Sequence, residues 1–286
     1  MVTIKEALEL GFENLERVRT PLLDAEVLLC NIIKKDRLFL IINKNNILSE
    51  DEYSKYMESI EKRKSGIPLQ YITNNQEFMG MDFYVETGVL VPRPDTEILV
   101  EAVIDWAKKN ETKSILELGV GSGAVIISLG KFTNATELYG VDISDIPLKV
   151  AGKNAKNNLR EKEIKFLKGD LFTPIDEDSM KKLDIIVSNP PYIPKKHIDD
   201  LQIEVSKYEP RLALDGGEDG LDFYRKIVRM SPNYLREEGL VAFEVGHDQG
   251  QLVADLFKND GRYENIEKIK DLSGIERVVM ATLIKK

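Results

Sequence analysis

The chain has 286 residues, with 40 Lys plus Arg against 49 Asp plus Glu, so its formal charge is −9. That length exceeds one typical domain of roughly 100–200 residues, and a 42% hydrophobic share supplies a real core and excludes wholesale disorder. No apolar run approaches the ~20 residues of a bilayer span, the N-terminus lacks a basic-then-apolar signal pattern, and the single cysteine, Cys30, permits neither an internal disulfide nor a Cys-based zinc site. A soluble, cytoplasmic protein with no membrane partner is expected. A pI near 5.1 argues against broad nucleic-acid binding, which needs a basic face.

Residues 1–72 read as a small all-helical domain. Thr20-Pro21 is a helix start, a hydroxyl N-cap followed by proline at the first helical position. Leu22, Leu23, Val27, Leu28, Leu29, Ile32 and Ile33 then form a broad apolar face. Ser49 and Glu52 match a capping box that opens a charged helix to about Lys64, with Tyr53, Tyr56, Met57 and Ile60 on its one buried face. Residues 73–92 form a linker in which Glu77-Phe78-Met79 and Asp82-Phe83-Tyr84-Val85, separated by Gly80, read as a β-hairpin.

From residue 93 to 286 the pattern is α/β. Asp95 is positioned to cap a helix starting near Thr96, with Ile98, Leu99, Ala102, Val103 and Trp106 as its stripe. Short apolar strands follow at Ile115–Leu118, Leu138–Val141, Ile164–Leu167, Ile185–Val187 and Leu240–Val245, the first of them separated by helices at Ala124–Leu129 and Ile146–Leu159. This alternation predicts a mostly parallel sheet covered on both faces. Ile266–Ile269 and Arg277–Ile284, joined at Ser273-Gly274, predict a terminal antiparallel hairpin.

Two segments carry chemistry. Glu117-Leu118-Gly119-Val120-Gly121-Ser122-Gly123-Ala124 leaves a strand and opens a helix, where glycines allow a sharp turn and close approach to a ligand. Gly119, Gly121 and Ala124 fit a dinucleotide fingerprint, while Gly119, Gly121 and Gly123 fit an adenosylmethionine loop. Glu117 favours the second, since it would repel pyrophosphate and attract an ammonium. Asp142 ends the next strand about 20 residues on, where an acidic residue bonds ribose hydroxyls. Asp170 ends the third strand and is placed either to face an adenine amino group, with Leu171 and Phe172 as wall, or simply to turn the chain.

Ser188-Asn189-Pro190-Pro191-Tyr192 follows the strand Leu183–Val187. The prolines supply no backbone donors and hold the chain rigid, which leaves the Asn189 side chain and the Asn189 and Pro190 carbonyls as acceptors at a strand end, beside an aromatic ring. That arrangement suits a planar NH₂ group. His197 and His247 have no partners at metal spacing and read as surface residues.

Asn189-Pro190-Pro191-Tyr192 together with Gly119-Val120-Gly121-Ser122-Gly123 resembles class I S-adenosylmethionine-dependent methyltransferases that modify planar amino groups. Gly88 through Glu97 (with Pro92-Arg93-Pro94-Asp95-Thr96-Glu97), Glu209-Pro210-Arg211-Leu212-Ala213-Leu214 and Gly216 through Leu221 narrow the resemblance to the HemK/PrmC family of release factor glutamine methyltransferases. The chain departs from the family pattern at Glu117 and Val120. The resemblance implies S-adenosylmethionine as cofactor, held by Gly119 to Gly123, Asp142, Leu171 and Asn189, to which the charge and strand-end readings above add Glu117 and Asp170. It also implies a release factor glutamine as methyl acceptor, held by Asn189, Pro190, Pro191 and Tyr192, and a substrate-recognition role for residues 1–72. No metal and no sequence-specific nucleic acid contact is implied. Leu90 and residues 92–97 would border the pocket, with Arg93 and Glu97 either there or in a structural ion pair. The alternative reading, a DNA or RNA adenine N6-methyltransferase, shares the four-residue motif but wants a basic, strand-gripping surface.

Overall fold

The computed structural model describes residues 1–176 and 182–285, which fall into two units. The first comprises Met1–Asn75 and Gln202–Tyr208. Its helices are α1 (Ile4–Asn14), α2 (Pro21–Ile33), α3 (Arg37–Ile42), α4 (Glu50–Lys64), α5 (Leu69–Thr73) and, from the later segment, the single turn α9 (Ile203–Ser206). The Ser49/Glu52 capping box is present: the Ser49 hydroxyl accepts from Glu52 N–H at 3.2 Å while the Glu52 carboxylate accepts from Ser49 N–H at 2.8 Å. Ile4, Ala7, Leu28, Leu29, Tyr56 and Ile60 meet in the core.

Two local readings give way here. Thr20 precedes α2, but its hydroxyl donates to Asp24 Oδ1 at 2.7 Å and caps no backbone N–H. Leu22 and Leu23 are 51% and 42% exposed, so the apolar face of α2 is narrower than its composition suggests. Asp24 occupies the buried position because Arg63 neutralises it: Arg63 Nε lies 2.6 Å from Asp24 Oδ2, and Nη2 lies 2.6 Å from Glu204 Oε1. Arg63 Nη1 also donates to the Ile67 carbonyl at 3.1 Å. One guanidinium thus ties α2, α4 and the 202–208 segment together. Tyr208 adds a bond from its hydroxyl to the Ser65 carbonyl at 2.9 Å.

The second unit holds Gln76–Leu201 and Glu209–Lys286. It begins with the hairpin β1 (Gln76–Phe78) and β2 (Met81–Phe83), turned at Gly80 with φ +69°. Then come α6 (Pro94–Lys109), β3 (Ser114–Leu118), α7 (Ala124–Phe132), β4 (Glu137–Asp142), α8 (Asp145–Asn158), β5 (Ile164–Lys168), β6 (Leu183–Ser188), α10 (Asp222–Met230), β7 (Leu235–Glu244), α11 (Gly250–Asp260), β8 (Tyr263–Lys270) and β9 (Glu276–Leu283). Helix α6 starts ahead of the expected point because Pro94 takes its first position, where a missing N–H costs nothing, so Asp95 lies inside the first turn.

The strand order is β5-β4-β3-β6-β7-β9-β8. The first five run parallel, and β9 enters antiparallel between β7 and β8, closing the sheet as the terminal hairpin predicts. Strands β3 and β6 are buried along their whole length, as strands covered on both faces must be. Alternation divides their side chains between two cores. Ile115, Ile185, Val187 and Ala242 join α6 and α7 on one face, while Leu116, Leu118, Ile186, Val241 and Phe243 join α10 and α11 on the other. The parallel strands therefore deliver their C-terminal ends, and whatever polar residues stand there, to a single edge.

The Arg63 cluster sets the first expected outcome. Asp24→Ala leaves a buried guanidinium short of a counter-charge, and breaking such a pair typically costs about 3–5 kcal/mol. Chemical denaturation followed by helical circular dichroism should show a loss of about 3 kcal/mol or more; a change within 1 kcal/mol would mean that Glu204 and solvent suffice.

Candidate active site

A cavity of about 320 Å³ opens at the C-terminal edge of the parallel strands, where open α/β sheets bind ligands. Glu117, Gly119, Val120, Gly121 and Ser122 line it from the turn after β3, Asp142 from the end of β4, Asp170 and Leu171 from beyond β5, and Asn189 and Pro191 from beyond β6. Gly119 and Gly121 have φ of +77° and +53°, and a Cβ built on either would meet nothing within 4 Å. The loop therefore offers bare backbone to the cavity. Gly123 serves differently: at φ +82° it opens α7, and a Cβ there would lie 2.8 Å from Ile127 Cδ1 and 3.1 Å from Ala151 Cβ. It lets helices α7 and α8 approach and is not part of the wall.

Three acidic groups face this space under different conditions. Glu117 is 2% exposed, and burial pushes its carboxyl well above the usual range, opposed by a 2.9 Å bond from Ile126 N–H to Oε2. The negative charge of Asp142 raises it further. Asp142 is itself raised by burial, while Ser144 N–H at 3.0 Å and Gly121 N–H at 3.1 Å hold its two oxygens. The bond to Gly121 ties the end of β4 to the glycine loop, so Asp142 also shapes the cradle. Asp170 is exposed at the rim. A cavity so lined attracts a cation and repels pyrophosphate.

The Asn-Pro-Pro-Tyr turn divides its residues between the wall and its support. Asn189 is half-buried, and its Nδ2 donates to Thr96 Oγ1 at 3.2 Å, which leaves Oδ1 as the acceptor available to a ligand. Pro190 is buried and Tyr192 half-buried, and neither lines the cavity. The Tyr192 ring packs into the α10/α11 core, with its carbonyl taking a bond from Gln249 Nε2 at 2.9 Å and its hydroxyl 3.5 Å from Glu244 Oε1. These contacts hold the ring beside the turn.

The remaining wall comes from segments with weak local signals. Leu90, Pro92, Arg93 and Thr96 close one side, Pro210, Leu212 and Ala213 another, and Phe223 and Lys226 of α10 a third. Arg93 and Glu97 do not pair with each other. Arg93 Nη2 binds Glu209 Oε2 at 2.6 Å, anchoring the 209–213 stretch, and Glu97 Oε1 accepts from Met79 N–H at 2.6 Å, anchoring the hairpin. His197 and His247 are exposed beside Asp200 and Asp248.

Comparison with known proteins completes the picture. A family model described as PrmC N-terminal domain matches residues 6–73, and one described as methyltransferase small domain matches residues 94–206. The release factor glutamine methyltransferase of Clostridium acetobutylicum is 44% identical over 259 residues, 90% of each chain. That of Moorella thermoacetica is 39% identical over 282 residues, 98% of each chain. A solved T. thermophilus 16S rRNA methyltransferase, in complex with AdoMet and guanosine, shares the fold at 17% identity and a TM-score of 0.51, covering 73% of this chain and 49% of that one. With similarity of this degree running through both the helical unit and the α/β unit, the chain belongs to the release factor glutamine methyltransferase family.

Proposed function

We propose that this protein methylates the side-chain amide nitrogen of the glutamine in the Gly-Gly-Gln motif of peptide chain release factors, using S-adenosyl-L-methionine, in the cytoplasm. The observation that carries the reading is the pairing of a cation-seeking glycine cradle with the Asn189 acceptor at adjacent strand ends. S-adenosylmethionine has the charge and shape the cradle asks for: an ammonium for Glu117, a ribose diol for Asp142 and an adenine amino group for Asp170. When bound, it supplies a methyl group already activated on a sulfonium.

The protein's part is then binding and alignment. An amide nitrogen is a poor nucleophile because its lone pair is delocalised into the carbonyl. Asn189 Oδ1, in the cavity wall, accepts one of its two N–H hydrogens, aiming the lone pair at the methyl carbon and opposing the positive charge that grows on nitrogen. Alignment of this kind is worth roughly 7–11 kcal/mol. The turn can hold such geometry because two consecutive prolines restrict its backbone and Thr96 holds the Asn189 amide. No covalent intermediate is needed, and the amide proton leaves to water. Residues 1–72 would recognise the folded release factor.

Two outcomes test the assignment of residues. Asp142→Ala removes charge-assisted bonds worth ~1.5–3 kcal/mol each, so calorimetric affinity for S-adenosylmethionine should fall tenfold or more; an unchanged affinity in a folded variant would move the ribose contact to Asp170. Asn189→Ala removes one preorganised acceptor, a loss that commonly costs ~10²–10³ in rate, and should weaken cofactor binding much less. Single-turnover transfer of radiolabelled methyl to a release factor, with duplex DNA alongside, reads both rate and substrate. Near-normal turnover by the Asn189 variant would remove Asn-Pro-Pro-Tyr as the reactive centre, and labelling of DNA alone would favour the adenine reading.

A further inference from the structure

Glu244 is the last residue of β7, and the alternation that sends Phe243 to the α10/α11 core turns Glu244 to the face covered by α6. It is 3% exposed, and its Oε2 has no hydrogen-bond partner among the described residues. Its neighbours are the parts of the acceptor site. Tyr192 Oη lies 3.5 Å from Oε1, and the Thr96 hydroxyl and Asn189 amide both stand close enough to favour its charged form. Thr96, also buried, accepts the Asn189 Nδ2 hydrogen at 3.2 Å. A hydroxyl that accepts from an amide still carries a hydrogen of its own, and in a buried site that hydrogen needs an acceptor. The unpartnered carboxylate oxygen is the strongest acceptor in its surroundings.

We propose that Glu244 is a positioning residue for methyl transfer: as a carboxylate it draws the Thr96 hydroxyl hydrogen, which fixes Thr96 as acceptor for Asn189 Nδ2 and holds Asn189 Oδ1 toward the substrate amide. The inference rests on the methyltransferase reading above. The chain of bonds runs Asn189 Nδ2–H to Thr96 Oγ1, then Thr96 O–H to Glu244. Each donor polarises the next, so negative charge on Glu244 increases electron density at Asn189 Oδ1, where positive charge develops on the bound nitrogen. Glu244 lies outside the cavity wall and touches no substrate. Its effect passes entirely through Thr96 and Asn189.

The carboxyl has two states within the working pH range. Burial raises its pKa to about 7, opposed by the nearby Thr96 hydroxyl and Asn189 amide. From α6, Asp95 raises it; from β9, Arg277 lowers it, though that guanidinium is shared with Asp95 at 3.1 Å and Asp271 at 3.0 Å. From the Asn-Pro-Pro-Tyr turn, Tyr192 faces it, and from α10, Tyr224 donates to the Glu244 backbone carbonyl at 2.8 Å. Arg93, which also acts on Tyr192, is engaged by Glu209. The sign follows: below the midpoint Glu244 is neutral and Thr96 loses its charged acceptor; above it the bond chain is complete. The rate of transfer therefore rises with pH.

The test is single-turnover methylation of a release factor at saturating S-adenosylmethionine, across about pH 5.5 to 8.5, with calorimetric cofactor affinity beside it. The wild-type rate should rise through a limb centred about pH 7 and then level. Glu244→Gln should lose the limb and sit about 10–100-fold below the wild-type plateau, as removal of a supporting group commonly does, with cofactor affinity within about twofold. Thr96→Val keeps Glu244 but cuts the chain, so it should lose the limb too, and the double variant should be no slower than the worse single one. Should Glu244→Gln fail to fold, Thr96→Val decides alone. Either folded variant with the wild-type rate and an intact limb overturns the proposal. A wild-type protein that transfers no methyl to the factor would instead overturn the underlying reading, and the proposal with it.

Discussion

A strand buried on both faces admits a polar side chain only where a partner satisfies it or where the strand ends, and this constraint organises the α/β unit. Strands β3 and β6 are covered on both sides, and their neighbours β4 and β7 carry apolar side chains into the same two cores. Polar residues are thus held at the strand ends: Ser114 and Asp184 bond each other at the N-terminal ends of β3 and β6, and the others stand at the C-terminal ends, where the covering helices give way to loops. Because the five strands run parallel, those ends share one edge. Glu117, Asp142, Asp170, Asn189 and Glu244 stand at or just beyond the ends of β3, β4, β5, β6 and β7 in turn. The site is what a parallel, doubly covered sheet does with its polar residues.

The same crowding sets the electrostatics. Burial raises Glu117, Asp142 and Glu244, the first two further apart from water than a free carboxylate prefers. Backbone N–H groups of Ile126, Gly121 and Ser144 offset part of that cost for Glu117 and Asp142, yet they add no net positive charge. A ligand that brings an ammonium and a sulfonium does, so the empty-charge balance of the cradle is itself a selection for cationic ligands over phosphates. Glu244 differs, because its nearest neighbours are a hydroxyl, an amide and a phenol, with Arg277 and Asp95 acting on it as opposed charges. Its charge is favoured by Thr96 and Asn189, the groups of the acceptor site, and by Arg277, which it shares with Asp95 and Asp271.

Much of this was legible in the residues. The glycine loop, the strand-helix alternation and the Asn-Pro-Pro-Tyr turn are local signals, set by conformational demands of a few consecutive positions, and the Ser49/Glu52 box was read for the same reason. What escaped depends on partners far along the chain. Leu22 and Leu23 looked like core until Asp24, held by Arg63 39 residues away, took the buried face. Arg93 and Glu97 could be read as pocket border or as ion-paired residues, and their partners, Glu209 and Met79, lie far along the chain or in the hairpin. Thr96 resembles a helix-start residue and Glu244 the end of an apolar strand; neither shows that α6 lays one over the other. The 202–208 segment gives no sign from its composition that it joins the first unit.

The acceptor geometry alone does not separate a glutamine amide from an adenine amino group, since both present two hydrogens on a planar nitrogen. Discrimination must come from the walls that receive the rest of the substrate. One of those walls is apolar and built from chain held by ion pairs, since Pro210, Leu212 and Ala213 follow Glu209, which Arg93 fixes, and Arg211 is tied to Asp199 at 3.0 Å, while Arg93 and Lys226 stand on the others. Leu212 is 71% exposed, an apolar side chain left at the mouth of the cavity. Under the proposed function, phosphates laid along the 210–213 stretch would meet proline, leucine and alanine and lose hydration there, with Arg93 and Lys226 on the other walls. An extended, glycine-rich peptide carrying a glutamine has only amides and a thin backbone to pass, and it can exchange its water for contact with the same apolar surface at lower cost. On the proposed function, the strand ends would select the nitrogen and the 209–213 wall would receive what the nitrogen is attached to.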